Sequence, residues 1–150
     1  MIANMQLLWA VADDYTVKAV KPFVSAETFR YIYPARSLVD AGAMLVGSSD
    51  WPVSTDDPLA AMRHAMTRRV AADAPSLEPA ERIDLPVILA AYTRNAAFAL
   101  GAEREIGTLE PEKVADIAVL NRALILPHDD LERLAVERTL SHGKLTYIRD

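Results

Sequence analysis

One short segment of this chain, residues 43–53 with the sequence AMLVGSSDWPV, limits the folds open to it most strongly. An unbroken apolar run passes into small residues, then a single carboxylate (Asp50), then Trp51 and a proline. Short apolar runs of this kind are typical of strands buried on both faces, as in parallel sheets covered by helices. In such folds, reactive side chains lie just beyond the carboxyl end of a strand. Asp50 is therefore the first candidate functional residue.

Composition narrows the class of protein further. The chain has 150 residues, of which 51% are hydrophobic, so it can bury one substantial core. The formal charge of -5, from 21 acidic and 16 basic residues without a long run of either sign, predicts no nucleic-acid partner and no attraction to an anionic membrane surface. Since there are no cysteines, disulfides and thiolate catalysis are excluded.

Targeting signals are not evident in the sequence. The apolar segment at 5–12 lacks a basic leader and runs into two aspartates, which disfavours a signal peptide. No apolar stretch approaches the roughly 20 residues that a membrane-spanning helix needs. We therefore expect a cytoplasmic protein.

Strands and helices are expected to alternate along the first hundred residues, which is typical of α/β folds. The expected elements begin with a buried strand at 2–11, a loop at 18–25, a helical turn at 26–33, and a helix at 34–41 begun by Pro34 and ended by Gly42. The strand that leads to Asp50 is followed by a helix capped by Asp56 or Asp57, with Leu59, Met62, Met66 and Val70 on its core face. A last segment at 84–100 is capped by Asp84, and Thr93 and Asn95 divide it into two short helices. After Gly101 the pattern changes to a turn at 107–111, strands at 115–120 and 144–148, and a short helix near 130–134.

Several spaced motifs together resemble one family. The residues SDWPV at 49–53, DPL at 57–59 and TR at 67–68 are similar to a stretch of amidohydrolase family 3, within the amidohydrolase superfamily. Downstream, AYTRNAA at 91–97, GTL at 107–109, ADIAVL at 115–120 and the closing TLSHGKLTY at 139–147 are similar to later motifs of that family in the same order. One departure is Glu112, which stands where the family usually has glycine.

This resemblance implies a metal-dependent hydrolase on a TIM barrel that cleaves amide or N-formyl carbon–nitrogen bonds with a metal-activated water. Asp50 matches the aspartate at the end of the last barrel strand, which contacts the metal and takes a proton from the water. Asp50 is thus the expected catalytic residue and metal ligand, with zinc the expected metal, and Trp51 is a candidate substrate contact. A small-molecule amide is the implied substrate.

Most of the ligands that the resemblance requires are missing from the sequence. No His-x-His pair occurs, and His64, His128 and His142 fit none of the family's ligand positions, so we assign them no role. One carboxylate cannot hold zinc tightly, because such sites need about three protein ligands. We expect this chain to retain no metal by itself.

A complete barrel typically needs about 250 residues, more than this chain contains. The predicted fold is therefore α/β, a partial TIM barrel (the last two βα units, residues 1–101) followed by part of a small β-sandwich domain (residues 102–150). The first functional hypothesis is the carboxyl-terminal portion of an amidohydrolase, inactive in isolation. The alternative is a non-catalytic fragment that binds a partner or itself through exposed strand edges at 2–11 and 115–120.

Other polar residues have plainer interpretations. Arg68 is expected to form an ion pair or to lie on a helix surface. Asp116 is expected to serve a turn, and Thr93 and Asn95 are expected to cap helices.

Overall fold

The computed structural model describes residues 1–124 and 133–150, and its first sheet is a parallel pair. Strands β1 (Ile2–Met5) and β2 (Met44–Gly47) pair in the register Ile2↔Met44 to Met5↔Gly47. Parallel strands require a long connection, and here helical segments supply it. Mixed helices and strands around a parallel pair confirm the predicted α/β class.

Helices of three kinds connect and follow these strands. They are the 3-10 helices Leu7–Trp9, Lys21–Phe23 and Pro79–Glu81, a π-helix at Tyr15–Val20, and the α-helices α1 (Ala26–Phe29), α2 (Ala35–Asp40), α3 (Pro58–Thr67), α4 (Leu85–Tyr92) and α5 (Arg94–Ala99). None of the helices in the two described ranges is long and apolar enough to cross a bilayer.

The second sheet is antiparallel, with the strand order β3 (Ile117–Leu120), β4 (Val136–Ser141), β5 (Lys144–Ile148). The strand predicted at 144–148 is confirmed, and the one predicted at 115–120 is shorter. Every residue of β5 is exposed. The helix predicted near 130–134 falls largely on residues 125–132, which lie outside the described residues.

One apolar cluster lies between the parallel sheet and the helices. Its buried members include Leu7, Leu45, Met62, Met66 and Ile88, and Leu134 beside the second sheet belongs to it as well. Both sheets therefore contact a single buried core.

The helix after Asp57 forms as predicted. Asp57 Oδ1 accepts from the Leu59 N–H at 2.9 Å, and Pro58 occupies the first turn, where its missing N–H costs nothing. Val70, however, was wrongly placed on the core face. It follows the helix end at Thr67 and is 44% exposed.

The predicted strand at 2–11 and loop at 18–25 are both wrong in extent. β1 ends at Met5 because β2 offers no further ladder partner, and the chain turns so that Leu7 and Ala10 enter the core. The predicted loop contains a π-helical and a 3-10 segment. Asp13 Oδ1 accepts from the Thr16 N–H at 2.7 Å at the start of the π-helix.

Two helices divide the segment at 84–100, as predicted, but the expected caps do not form. The carboxylate of Asp84 pairs with Arg36 at 2.8 Å, and Thr93 Oγ1 donates back to the Leu89 carbonyl at 2.7 Å. Asn95 Nδ2 donates to the Leu45 carbonyl in β2 at 2.9 Å. Asn95 therefore ties α5 to the sheet instead of capping a helix.

The turn chemistry of the second half follows the sequence closely. Gly107 adopts φ +94 in the predicted turn. Asp116 Oδ1 accepts from the His142 N–H at 2.8 Å, which confirms its predicted role in a turn. Glu112 adopts φ +73, a conformation that favours glycine.

Candidate functional site

Asp50 lies three residues beyond the carboxyl end of β2, in the turn that leads toward α3. Its backbone is left-handed, with φ +54, and its carbonyl accepts from the Val53 N–H at 3.0 Å. The residue is exposed. Aspartate tolerates this conformation better than most residues. The turn presents its carboxylate to solvent at the end of the sheet.

The two faces of the parallel sheet differ in what covers them. A Cβ on Gly47 would lie 2.3 Å from the ring of Tyr92, so this face of β2 meets α4. Successive residues along a strand point to opposite faces, so Ser48, which follows Gly47, points away from α4. There its hydroxyl accepts from Gln6 Nε2 at 2.9 Å. Polar groups from the carboxyl ends of both strands therefore meet two residues before Asp50 in the chain.

Tyr92 closes the opposite side of the same strand end. Its hydroxyl donates to the Ser48 carbonyl at 3.3 Å, and burial raises its pKa to about 12, so the phenol keeps its proton at neutral pH. Its ring occupies the space that any side chain at position 47 would fill. Glycine at this position is thus required by close approach, not by backbone conformation.

Gly47→Ala is expected to destabilise the fold by about 1–3 kcal/mol, because the new methyl group displaces the Tyr92 ring. In a Tyr92→Leu background the same substitution should cost less, since the ring is gone. Urea unfolding of the four proteins measures the coupling. Equal costs in both backgrounds would contradict the clash.

Trp51 follows Asp50 and is 66% exposed. Its backbone N–H donates to Ser49 Oγ at 3.2 Å, and its exposed side chain follows that of Asp50 along the chain. The role of Trp51 as a substrate contact therefore stays a prediction.

A metal ion would not be held by the described residues alone. In residues 1–124 and 133–150, no group of three or more histidine, aspartate or glutamate side chains could hold one. Catalytic zinc sites use three protein ligands, so the donor set around Asp50 does not fit a complete site.

The two histidines within residues 1–124 and 133–150 have partners away from Asp50. His64 Nδ1 lies 2.5 Å from the Leu8 carbonyl, to which only a protonated Nδ1 can donate. His142 Nδ1 lies 3.6 Å from Asp116 in the β4–β5 hairpin. His128 lies outside the described residues.

The buried His64 is expected to make stability depend on pH. Burial lowers its pKa below the ordinary 6.5, partly offset by the hydrogen bond to Leu8. Below about pH 6.5, His64 takes up a proton more readily in the unfolded chain than in the folded chain. The contribution of His64 to the free energy of unfolding is therefore complete above that pH and is lost on acidification. His64→Gln should flatten the fall in unfolding free energy on acidification, by at most about 1.4 kcal/mol per pH unit. Equal slopes for His64→Gln and the parent chain would contradict this.

Arg68 does not lie on the surface as predicted. It is 0% exposed, and its guanidinium donates to the carbonyls of Leu77, Tyr33 and Ile32 at 2.9, 2.9 and 2.7 Å. Burial lowers its pKa to about 10, so it stays charged at neutral pH. Among the described residues its hydrogen-bond partners are backbone carbonyls of two chain segments, 32–33 and 77, which meet at the end of α3.

Sequence reasoning missed the side chains that surround the Asp50 turn. Gln6 and Trp9 were read only as part of the buried strand at 2–11, and Tyr92 only as part of the helical segment at 84–100. One signal was available: Asn4 and Gln6 alternate with apolar residues, which places both on the face opposite Ala3 and Met5.

Comparison with known proteins gives consistent results. The model of the amidohydrolase family matches residues 2–147. An N-substituted formamide deformylase from Arthrobacter pascens is 38% identical over 119 residues, which cover 79% of this chain and 22% of that protein. The protein LONG AFTER FAR-RED 3 of Arabidopsis thaliana is 34% identical over 122 residues, which cover 79% of this chain and 21% of that protein. The chain therefore spans about a fifth of the length of these relatives.

A solved structure shows the same fold. An amidohydrolase from Thermotoga maritima superposes with a TM-score of 0.59 at 23% identity, over 77% of this chain and 26% of that one. At this identity the likeness concerns the fold alone.

Proposed function

Because the chain belongs to the amidohydrolase family, we propose that it supplies one part of a hydrolase that cleaves carbon–nitrogen bonds of small amides. Asp50 is the catalytic carboxylate that it contributes. The observation that carries this proposal is the position of Asp50 beyond the carboxyl end of a parallel strand, two residues after Ser48, which binds Gln6. Reactive groups of α/β barrels occupy that end of the strands.

The parallel pair is proposed to be two adjacent strands of a TIM barrel. Within the described residues, β1 and β2 each have one unpaired edge, and helices cover the face that carries Leu45 and Gly47. A barrel would use both edges and enclose the other face. Residues 1–101 would then belong to the barrel and residues 102–150 to a small β-sandwich domain beside it.

The chemistry proposed for Asp50 is general-base catalysis. Its carboxylate takes a proton from the water that attacks the amide carbonyl carbon, the carbon–nitrogen bond breaks, and the amine leaves with a proton. The products are an amine and a carboxylic acid, formic acid when the substrate is a formamide. Trp51 is proposed to contact the substrate.

Amidohydrolases generally depend on a metal. We propose a divalent ion, zinc, in the complete enzyme, held by ligands beyond those described together with Asp50. The expected cytoplasmic location and the expected absence of nucleic-acid and membrane partners remain predictions.

Co-expression tests whether the chain completes a family site. The chain would be produced with the Arthrobacter deformylase from which the segment matching it has been deleted. We expect the two polypeptides to copurify with stoichiometric metal, which neither binds alone. Failure to copurify, with both partners folded, would contradict the proposal.

The alternative function, self-association, is supported by exposed apolar side chains on the second sheet. Val119, Leu145, Tyr147 and Ile148 are 39–57% exposed. Exposed apolar edge strands favour pairing with another chain. We expect the isolated chain to sediment as dimers or larger species, and Leu145→Lys to shift it toward monomer. Lys18→Ala, in the π-helix of the first half of the chain and with a largely exposed side chain, is the control. A monomer of the parent chain at micromolar concentration would contradict self-association.

A further inference from the structure

The loop that carries Asp50, residues 48–54, has few bonds of its own. Within it, the Trp51 N–H donates to Ser49 Oγ at 3.2 Å and the Val53 N–H donates to the Asp50 carbonyl at 3.0 Å. In the described part of the chain, no hydrogen bond or ion pair holds the Asp50 carboxylate itself. Its position therefore depends on how the two ends of the loop are fixed.

The segment that follows β1 binds both ends. At the first end, Gln6 Nε2 donates to Ser48 Oγ at 2.9 Å. At the second end, Trp9 Nε1 donates to Ser54 Oγ at 3.2 Å. These bonds join residues 42 and 45 positions apart, so they connect the loop to the segment that follows the neighbouring strand β1.

The segment that provides these two side chains is itself fixed. Leu7 is fully buried in the core, and His64 of α3 bonds to the Leu8 carbonyl. Gln6 and Trp9 thus lie on either side of two anchored residues. Their side chains add a bond at each end of the loop, where the backbone of Ser48 is also held by the Tyr92 hydroxyl and the Met5 carbonyl.

We propose that Gln6 and Trp9 are positioning residues, which together hold the loop so that the Asp50 carboxylate faces the reaction centre. This inference rests on the proposed function of Asp50. A general base must lie within hydrogen-bond reach of its water, and displacements near 1 Å reduce rates by about a hundredfold. A carboxylate on a solvent-exposed loop meets that requirement only if the loop is fixed from outside.

Backbone ¹⁵N relaxation of the full chain tests the proposal without any substrate. Gln6→Met and Trp9→Phe keep most of the side-chain volume and remove one hydrogen bond each. Asn4→Ala, on the same face of β1 as Gln6, is the matched control. In the parent chain and the control we expect order parameters of about 0.8 at Asp50 and Val53, whereas the double variant should fall below about 0.6 with α3 unchanged.

The single variants keep the test valid if the double variant unfolds, since each should lower the order parameters at its own end of the loop. Unchanged order parameters in folded variants would overturn the inference. A second measurement, in the copurified pair, separates it from the proposed function. There Gln6→Met should lower kcat about tenfold or more with KM nearly unchanged. A mobile loop with unchanged kcat would contradict the catalytic role of Asp50, while a rigid loop in an active pair would contradict only the positioning role.

Discussion

Asp50→Asn is expected to lower amide hydrolysis by the copurified pair at least a hundredfold. Asparagine keeps the size of the side chain but cannot take a proton from water, and removal of a general base typically costs about 10²–10⁴ in rate. Since Asp50 is exposed and its carboxylate has no partner in the described residues, folding and copurification should be unaffected. The measurement is kcat for an N-substituted formamide at saturating concentration.

Asp56→Asn is the matched control for this substitution. Asp56 lies in the same connection between β2 and α3 and is exposed, while the helix cap is formed by its neighbour Asp57. The control pair should keep full activity. Equal activities for Asp50→Asn and Asp56→Asn would contradict the catalytic assignment.

Arg68→Met is expected to destabilise the fold by about 3–5 kcal/mol. Methionine fills part of the space but leaves the carbonyls of Ile32, Tyr33 and Leu77 buried without their donor, and each such loss is costly. Arg68→Lys keeps a charge but cannot reach three carbonyls, so it should recover only part of the loss. Urea unfolding gives the free energies.

Arg104→Met provides the comparison for Arg68. Arg104 is exposed, and surface substitutions of this kind usually change stability by less than about 0.5 kcal/mol. If Arg68→Met unfolds within about 1 kcal/mol of the parent chain, the buried guanidinium does not join these segments as the structure indicates.

Local signals explain what the sequence predicted correctly. The apolar run before Gly47 predicted β2, and the Asp57-Pro58 pair predicted the start of α3. Each of these depends on residues within a few positions of one another. The α/β class and the location of Asp50 follow from them.

Long-range contacts explain what the sequence could not predict. Arg68 was expected at the surface because its three acceptors lie in segments 9, 35 and 36 residues away. Asn95 was expected to cap a helix, yet its partner carbonyl lies 50 residues away in β2. Gln6 similarly gained its role only when β1 paired with β2. Such partners become visible only once the strands are placed side by side.

The rate of N-substituted formamide hydrolysis by the copurified pair tests the central claim most directly. We expect turnover when the chain is joined by the deformylase that lacks the matching segment, and none from either polypeptide alone. A folded, metal-loaded pair that hydrolyses no faster than the separate polypeptides would contradict the claim that this chain completes an amidohydrolase site.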